Sequence, residues 1–354
     1  MVLFTSLLNS QYMNKTICLA TLLLPTAAVM AEEPENHNWL HTAQLEVRID
    51  WQRDQLGCQK VDDNSGFKGQ YINLILKGDL SSKVSYAYRQ RFSKGFSSSG
   101  LFDATDWLYV TYRPTDKWAL SAGKQTVAHG TYEYDYAPID IYQYTEYCNN
   151  IACYQFGVSA DYIFNANNDL LLQVCQSPFR ANHPDMYGYN LKWAGNHGFY
   201  SNIWSVSMHE WMPKHYINYI ALGNRFDFPK GHIFLDYTNR YSSGFDTSFL
   251  GDFTFSSEFH YSPVTELNLF TKYSYDINDA NEGDFCVFAG TEQHHLGVGL
   301  EYFPLHGRRD LRIHANFFHT WGDNTNPGGV LQNKQSTVNI GMTWRADILN
   351  FKKK

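Results

Sequence analysis

The stretch LEVRIDWQ at residues 45–52 decides the fold, because apolar and polar side chains alternate along it without a break. Successive side chains of a β-strand point to opposite faces, so a strand separates the two sets, whereas a helix would scatter them around its circumference. The same alternation recurs near residues 152–162, 252–261, 266–276, 292–303 and 335–346. The chain is therefore predicted to be all-β, with helical periodicity nearly absent.

Sixteen candidate strands can be counted, and most have about the 9–11 residues that a tilted membrane strand needs. Four of them, near 67–77, 104–113, 199–208 and 215–226, alternate poorly, which leaves the count open by two. The others lie near 41–53, 83–92, 118–127, 152–162, 169–176, 186–194, 232–240, 252–261, 266–276, 292–303, 310–320 and 335–346.

The connections between these strands alternate in length. Short polar turns follow the even strands, and longer segments follow the odd ones, near 54–66, 93–103, 128–151, 177–185, 209–214, 241–250, 277–291 and 321–334. This sorting is typical of an outer-membrane barrel with short periplasmic turns and longer external loops. After the N-terminal region no apolar run approaches the length of a membrane helix, so a membrane protein of this sequence must be a closed barrel. We predict a transmembrane antiparallel β-barrel of about 16 strands in the outer membrane of a Gram-negative bacterium.

The N-terminal region reads as a targeting segment. Residues 1–31 are predicted to be a signal peptide, with Met13 as an alternative start, a basic Lys15, an apolar run at 17–24 and small residues before Glu32. The alternative is an uncleaved anchor. Residues 32–40 are then a short periplasmic segment, 41–346 the transmembrane barrel and 347–354 a basic C-terminal tail.

Composition narrows the class of partner. The formal net charge of -7 argues against nucleic acid, which needs a basic surplus. Aromatic residues make up 16% of the chain, and Tyr and Trp concentrate at membrane interfaces, although an aromatic-rich secreted all-β protein would have the same composition. With the predicted barrel, outer-membrane lipid is the expected surrounding. Five cysteines remain after the signal, Cys148 and Cys153 being close enough in sequence to pair, but neither they nor the 14 histidines show metal-ligand spacing. We predict no metal, no cofactor and no catalytic residue.

The longest connection, residues 128–151, is rich in tyrosines and carboxylates and contains no Lys or Arg. Loops longer than about 12–15 residues are usually functional or disordered, and this one is too aromatic for disorder. We predict that it folds into the pore, with an external loop over the barrel mouth or at a subunit contact as the alternative. The candidate constriction residues are Tyr132, Glu133, Tyr134, Asp135, Asp140, Tyr142, Tyr144 and Glu146.

Basic residues also recur on the polar faces of the candidate strands. Those predicted to line the pore are Arg48, Arg89, Arg91, Lys124, Lys272 and Arg312. Together with carboxylates on the same faces they could form a transverse field that filters ions. The alternative is that any water-filled lumen needs paired polar side chains.

A resemblance to a known family rests on DWLYVTYR at 106–113, WALSAGKQ at 118–125, the pair His129-Gly130 and YEY at 132–134. These segments resemble the phosphate-selective porins O and P. The resemblance implies a sixteen-stranded, usually trimeric porin with its third loop inside. Family members that select phosphate carry basic residues at the constriction, whereas residues 128–151 are acidic here. We therefore predict weak cation preference or near-neutral selectivity, and no strong phosphate preference.

The predicted function is passive diffusion of small hydrophilic solutes or ions through a water-filled barrel. Two alternatives come from other classes. An outer-membrane lipase or protease would have a narrower barrel of ten or twelve strands with catalytic residues at the rim. A binding or adhesion barrel would use its external loops as the working surface.

Overall fold

The computed structural model of the chain describes residues 38–94, 100–179, 185–242, 250–280, 286–326 and 335–350. The predicted signal peptide, most of the segment 32–40 and residues 351–354 of the predicted tail lie outside the described residues. No helix within the described ranges has the length and apolar character needed to cross a membrane.

Sixteen antiparallel strands form one closed barrel in which each strand pairs with its neighbours in sequence and β16 pairs with β1. This confirms the predicted fold. The strands are β1 Thr42–Leu56, β2 Gln59–Ser81, β3 Val84–Arg91, β4 Thr105–Thr115, β5 Trp118–Thr126, β6 Tyr154–Asn165, β7 Asn168–Gln176, β8 Tyr187–Asn196, β9 Tyr200–Met212, β10 His215–Phe228, β11 Gly231–Ser242, β12 Asp252–Val264, β13 Leu267–Asn278, β14 Thr291–Tyr302, β15 Leu311–Asp323 and β16 Gln335–Asn350.

The two faces of the wall differ in polarity, as the period of two requires. Large apolar side chains are exposed on the outer face, among them Ile49, Leu108, Val206, Leu296 and Ile340. The inner face carries buried polar and charged groups. Because the barrel is closed, the backbone groups of each strand find hydrogen-bond partners on both adjacent strands. A protein without helices can cross lipid only under this condition.

Two predicted loops prove to be tight hairpins. Strands β1 and β2 continue past residue 54 and reverse at Gly57 and Cys58, where Gly57 takes the left-handed φ of +59°. Likewise β9 and β10 reverse at Pro213 and Lys214, and Lys214 has φ +66°. Outside the membrane both faces of a strand meet water, so residues 59–66 are mostly polar and resemble a loop in sequence.

Strand β16 also extends further than predicted, to Asn350 in place of residue 346. Its extension is paired with the first residues of β1, since Ala43 faces Leu349. The predicted tail therefore begins within the wall.

Candidate functional site

Residues 128–151 run along the inside of the barrel between β5 and β6. At the entry, the backbone N–H of Ala128 donates to the Gln173 side chain on β7, 2.8 Å away. The next residues lie directly on the wall: a Cβ on Gly130 would come within 2.4 Å of the Ser205 backbone nitrogen. On the other side, Gly223 of β10 leaves room for Thr131, whose Cα is 3.0 Å from the position of a Cβ there.

A single helical turn, Tyr132–Asp135, then sits against β11 and β13. Its first two backbone N–H groups donate to the Asp236 carboxylate, Tyr132 at 3.0 Å and Glu133 at 2.8 Å. The Glu133 carboxylate accepts from Lys272 Nζ at 2.9 Å, and both groups are buried. A carboxylate that receives backbone N–H groups at a helix start is a stabilising cap, so the wall positions this turn.

The middle of the loop crosses the lumen to the wall of β1, β15 and β16. Arg48 donates to the carbonyl oxygens of Ile139 and Ile141, at 3.2 and 2.8 Å. The Asp140 carboxylate lies 3.0 Å from Arg312 and 2.7 Å from Arg345. Two wall arginines therefore neutralise this loop carboxylate.

The returning half of the loop is fixed by rings and by a second wall carboxylate. Tyr142 donates its hydroxyl to Glu301 at 2.7 Å, and its ring lies 5.2 Å from that of Phe270 at an angle of 8°. The backbone N–H groups of Glu146 and Tyr147 donate to Asp276 at 3.1 and 3.4 Å. Burial, followed by the nearby Asp276 charge, raises the pKa of Glu146 above its ordinary value.

Toward the external side, the loop joins an apolar core inside the barrel. Tyr134, Tyr147 and Ile151 pack there with wall residues and with Cys286 and Val287 of the external segment after β13. Cys58, Cys148, Cys153, Cys175 and Cys286 are all free thiols in the structure, so Cys148 and Cys153 do not pair.

Two cavities lie beside the loop. The larger, of about 430 Å³, separates loop residues 134–138 from the wall of β3 to β8, and we call it the conduit. Its lining reaches from Arg113 and Ala119, near the periplasmic strand ends, to Arg89 and Tyr154 near the external ends. The smaller, of about 270 Å³, lies between the loop and the periplasmic half of β11 to β16, and we call it the side pocket.

Charges along the conduit are of both signs. Asp135 is the exposed loop carboxylate there, and its nearest basic group is Lys192 Nζ at 3.9 Å. Arg113 and Asp161 line the same space further toward the periplasm. The conduit is thus polar and close to electrically balanced.

The eight loop residues predicted for the constriction all lie inside the barrel, but they divide between different surroundings. Glu133 and Asp140 border the side pocket, Asp135 borders the conduit and Tyr134 lies in the apolar core. Tyr132 stacks on Phe234 at 4.9 Å, and Tyr144 shares its hydroxyl with that of Tyr71 at 3.4 Å. Most of the acidic charge predicted for the loop is therefore buried or is neutralised by basic residues of the wall.

The predicted lining residues are also mostly inward, with one exception. Arg48 and Lys272, like Arg312, hold the loop or its carboxylates. Arg89 and Arg91 point inward but share Asp106, at 2.9 and 3.0 Å, and do not face a loop carboxylate. Lys124 departs from the prediction: it lies on the outer face of β5, with Leu120, and donates to the backbone oxygen of Phe102.

Some roles and residues of the site were not predicted from the sequence. The anchoring of the loop by the inward-facing Asp236 and Asp276 is one of these, because backbone hydrogen bonds leave no pattern in the sequence. Lys192 and Trp107 belong to the conduit lining. Lys192 could have been found, since Leu191 and Trp193 flank it as outward-facing neighbours.

Comparison with known families agrees with this geometry. Residues 42–202 match the family described as phosphate-selective porin O and P. The chain is an outer-membrane porin. It resembles that family over β1 to β8 and the first residues of β9, and it forms a β-barrel channel for small solutes in the outer membrane.

Solved porin structures share the fold at low sequence identity. The anion-selective porin from Comamonas acidovorans is 12% identical, with a TM-score of 0.60, over 86% of this chain and 99% of that chain. OmpT of Vibrio cholerae is 12% identical with a TM-score of 0.60, over 89% and 99% of the two chains. The outer-membrane channel DcaP of Acinetobacter baumannii is 12% identical with a TM-score of 0.59, over 86% and 96%. No curated protein matches the sequence.

Proposed function

We propose that this porin passes small hydrophilic solutes and ions by passive diffusion along the conduit, with residues 128–151 as its constriction and with nearly neutral ion selectivity. The observation that carries the proposal is the pairing of loop carboxylates with wall cations. Glu133 is bound by Lys272, and Asp140 by Arg312 and Arg345. Because paired charges largely cancel at the distance of a passing ion, the acidic composition of the loop gives little net field.

Among the charges that line the conduit, Asp135 and Lys192 face each other beside the loop. The Asp135 side chain is 56% exposed, so a hydrated ion can approach it. We expect Asp135→Asn to move the reversal potential toward anion selectivity and Lys192→Gln to move it toward cation selectivity, by comparable amounts. Planar-bilayer recording of the purified protein in a salt gradient measures both shifts.

Asp62→Asn is the matched control, because Asp62 lies exposed at the external end of the barrel, beside Lys60. It should leave the reversal potential unchanged at physiological salt, since its charge is screened within about 8 Å. Strong anion selectivity that persists in Lys192→Gln would contradict the proposal. Strong preference for phosphate over chloride in the unmodified protein would contradict it as well.

Two further points are proposed with the channel. A structure of OmpT from Vibrio cholerae is of a trimer form, and we infer a homotrimer for this chain, to be measured as the mass of the detergent-solubilised particle. We also infer that the chain is a channel and not an enzyme. The wall has sixteen strands, whereas a count of ten or twelve would have favoured the lipase or protease alternative.

A further inference from the structure

The side pocket differs from the conduit in being closed toward the external side. Along β13 the inward residues Asn268, Phe270 and Lys272 line it from the periplasmic end. The next two inward residues, Ser274 and Asp276, are fully buried. Since Asp276 also binds the returning loop, the pocket ends at the loop and opens toward the periplasm. A solute entering it would be retained there and would not pass straight through.

Near-parallel rings line one side of this pocket. Phe270 lies between Tyr142, 5.2 Å away at 8°, and His260, 5.9 Å away at 28°. His232 follows, 4.6 Å from His260 at 22°. We call these four residues the aromatic track. Gly299 makes room for it, because a Cβ there would come within 2.3 Å of the Phe270 ring.

The charged groups of the pocket are already paired with one another. Lys272 binds Glu133 and lies 3.8 Å from Glu258, which in turn accepts a hydrogen bond from His260 Nε2 at 2.7 Å. Arg312 is shared by Asp140 and Glu301, both at 3.0 Å. A charged ligand would have to break such buried pairs, and leaving one partner unpaired is strongly unfavourable. The pocket is therefore poorly suited to an anion or a cation.

Two side-chain nitrogens of the pocket lining nevertheless lack partners. Within the described part of the chain, the buried atoms His232 Nε2 and Arg312 Nε have no hydrogen-bond partner. The paired carboxylates also keep lone pairs that can accept from hydroxyl groups. A neutral ligand with several hydroxyl groups can use these positions without disturbing the ion pairs.

We propose that the side pocket is a binding site for a neutral saccharide, reached from the periplasmic side of the barrel. The partly exposed end rings of the aromatic track, Tyr142 and His232, offer apolar surface to the C–H faces of a sugar ring, with Phe270 behind them holding Tyr142 in place. The charge-paired rim offers donors and acceptors to the hydroxyls. A cavity of about 270 Å³ is close to the lower end of the range for small-molecule sites, which suits one or two sugar rings. This inference rests on the proposed channel function, since it names a solute that the porin would take.

The test uses glucose as the neutral probe, with glucuronate and glucosamine as its anionic and cationic counterparts. Saturation-transfer NMR on the full detergent-solubilised barrel gives an apparent Kd for each. Glucose should bind in the millimolar range, and more tightly than either charged sugar. His232→Ala removes one free hydrogen-bonding nitrogen and one ring of the aromatic track, so its Kd should rise about five- to tenfold.

His294→Ala is the matched control, because His294 is a ring of the outer face that stacks on Trp321. Its glucose Kd should equal that of the unmodified protein. Phe270→Leu is a second test variant, and loss of the central ring of the aromatic track should weaken glucose binding. The variant should keep the heat-dependent gel mobility of a closed barrel, which shows that it is folded.

The outcomes separate the pocket from the channel. Protein that conducts ions but shows no glucose binding overturns the saccharide site and leaves the channel proposal standing. Glucose binding that is unchanged in both His232→Ala and Phe270→Leu also overturns it, as does tighter binding of glucuronate or glucosamine. Glucose binding by well-folded protein that does not conduct supports the site and contradicts the channel.

Discussion

Gly130 shows how one residue can position the whole constriction. Its missing side chain lets the loop lie on β9, where a Cβ would come within 2.4 Å of the Ser205 nitrogen and 2.6 Å of the Trp204 carbonyl carbon. Both neighbours are backbone atoms of the wall and cannot move aside cheaply. We expect Gly130→Ala to lift the start of the loop toward the conduit, lower single-channel conductance and destabilise the barrel by about 1–3 kcal/mol.

Gly69→Ala is the control for this prediction, because a Cβ on Gly69 meets nothing within 4 Å. Conductance histograms and urea unfolding of the two variants should differ clearly. Equal conductance of Gly130→Ala and the unmodified protein would show that the loop start does not limit the current.

The predicted pore-lining residues Lys124, Arg89 and Arg91 show what the sequence does and does not predict about single side chains. Lys124 was assigned to the pore because it is basic, yet the alternation of β5 places it outward with Leu120. A basic side chain can lie on either face of a strand, so its position in the period of two decides which face it occupies. Arg89 and Arg91 were correctly placed inward, but their partner Asp106 lies on a strand whose alternation is irregular, so the pairing could not be read from the sequence.

At the scale of the element, the loop is held by two wall carboxylates that each bind two backbone N–H groups. Asp236 binds the turn that begins at Tyr132, and Asp276 binds the turn that begins at Glu146. Replacing a charged acceptor by an amide weakens these bonds and presents an N–H₂ group as an alternative orientation. We expect the double variant Asp236→Asn and Asp276→Asn to show flickering current, as the loop samples more than one position.

Asp62→Asn is the control for the double variant. Asp62 pairs with Lys60 at the external end of the barrel and is exposed. Its current should be as steady as that of the unmodified protein. Steady current in the double variant would mean that the side-chain pairs of Glu133 and Asp140 suffice to fix the loop.

The strands of the wall could be predicted from the sequence more completely than the contacts of the loop at residues 128–151, for physical reasons. Strands within the membrane alternate because one face meets lipid and the other the lumen, and this signal is clear in twelve of the sixteen candidates and poor in the other four. It vanishes where a strand leaves the membrane, as in the β1–β2 hairpin beyond residue 54. The position of residues 128–151 inside the barrel was expected from their length and composition, but their partners were not, because contacts between a loop and distant strands depend on the closed shape.

At the scale of the whole molecule, the wall and the loop make separable contributions. Backbone pairing from β1 to β16 closes the barrel without the loop, and Thr126 and Tyr154 at the ends of the loop are already paired neighbours. A short linker can therefore replace residues 131–150 without straining the wall. The wall should remain closed, since lipid favours complete pairing of backbone groups.

Removing the loop should raise the conductance severalfold and weaken the barrel only modestly. Wall cations that now bind the loop, such as Lys272 and Arg312, would otherwise be left unpaired, which is costly in a dry interior. Here they would face a water-filled lumen, because a barrel of about sixteen strands leaves an aqueous channel when nothing fills it. Their hydration should offset most of the free energy lost with the ion pairs.

The linker variant should also select anions more strongly than the unmodified protein. Without the carboxylates of Glu133 and Asp140, the wall cations are no longer neutralised, so the reversal potential should shift toward anion selectivity. Bilayer recording and heat-dependent gel mobility of the linker variant measure both effects. Unchanged conductance in a closed, well-folded variant would show that residues 128–151 are not the constriction.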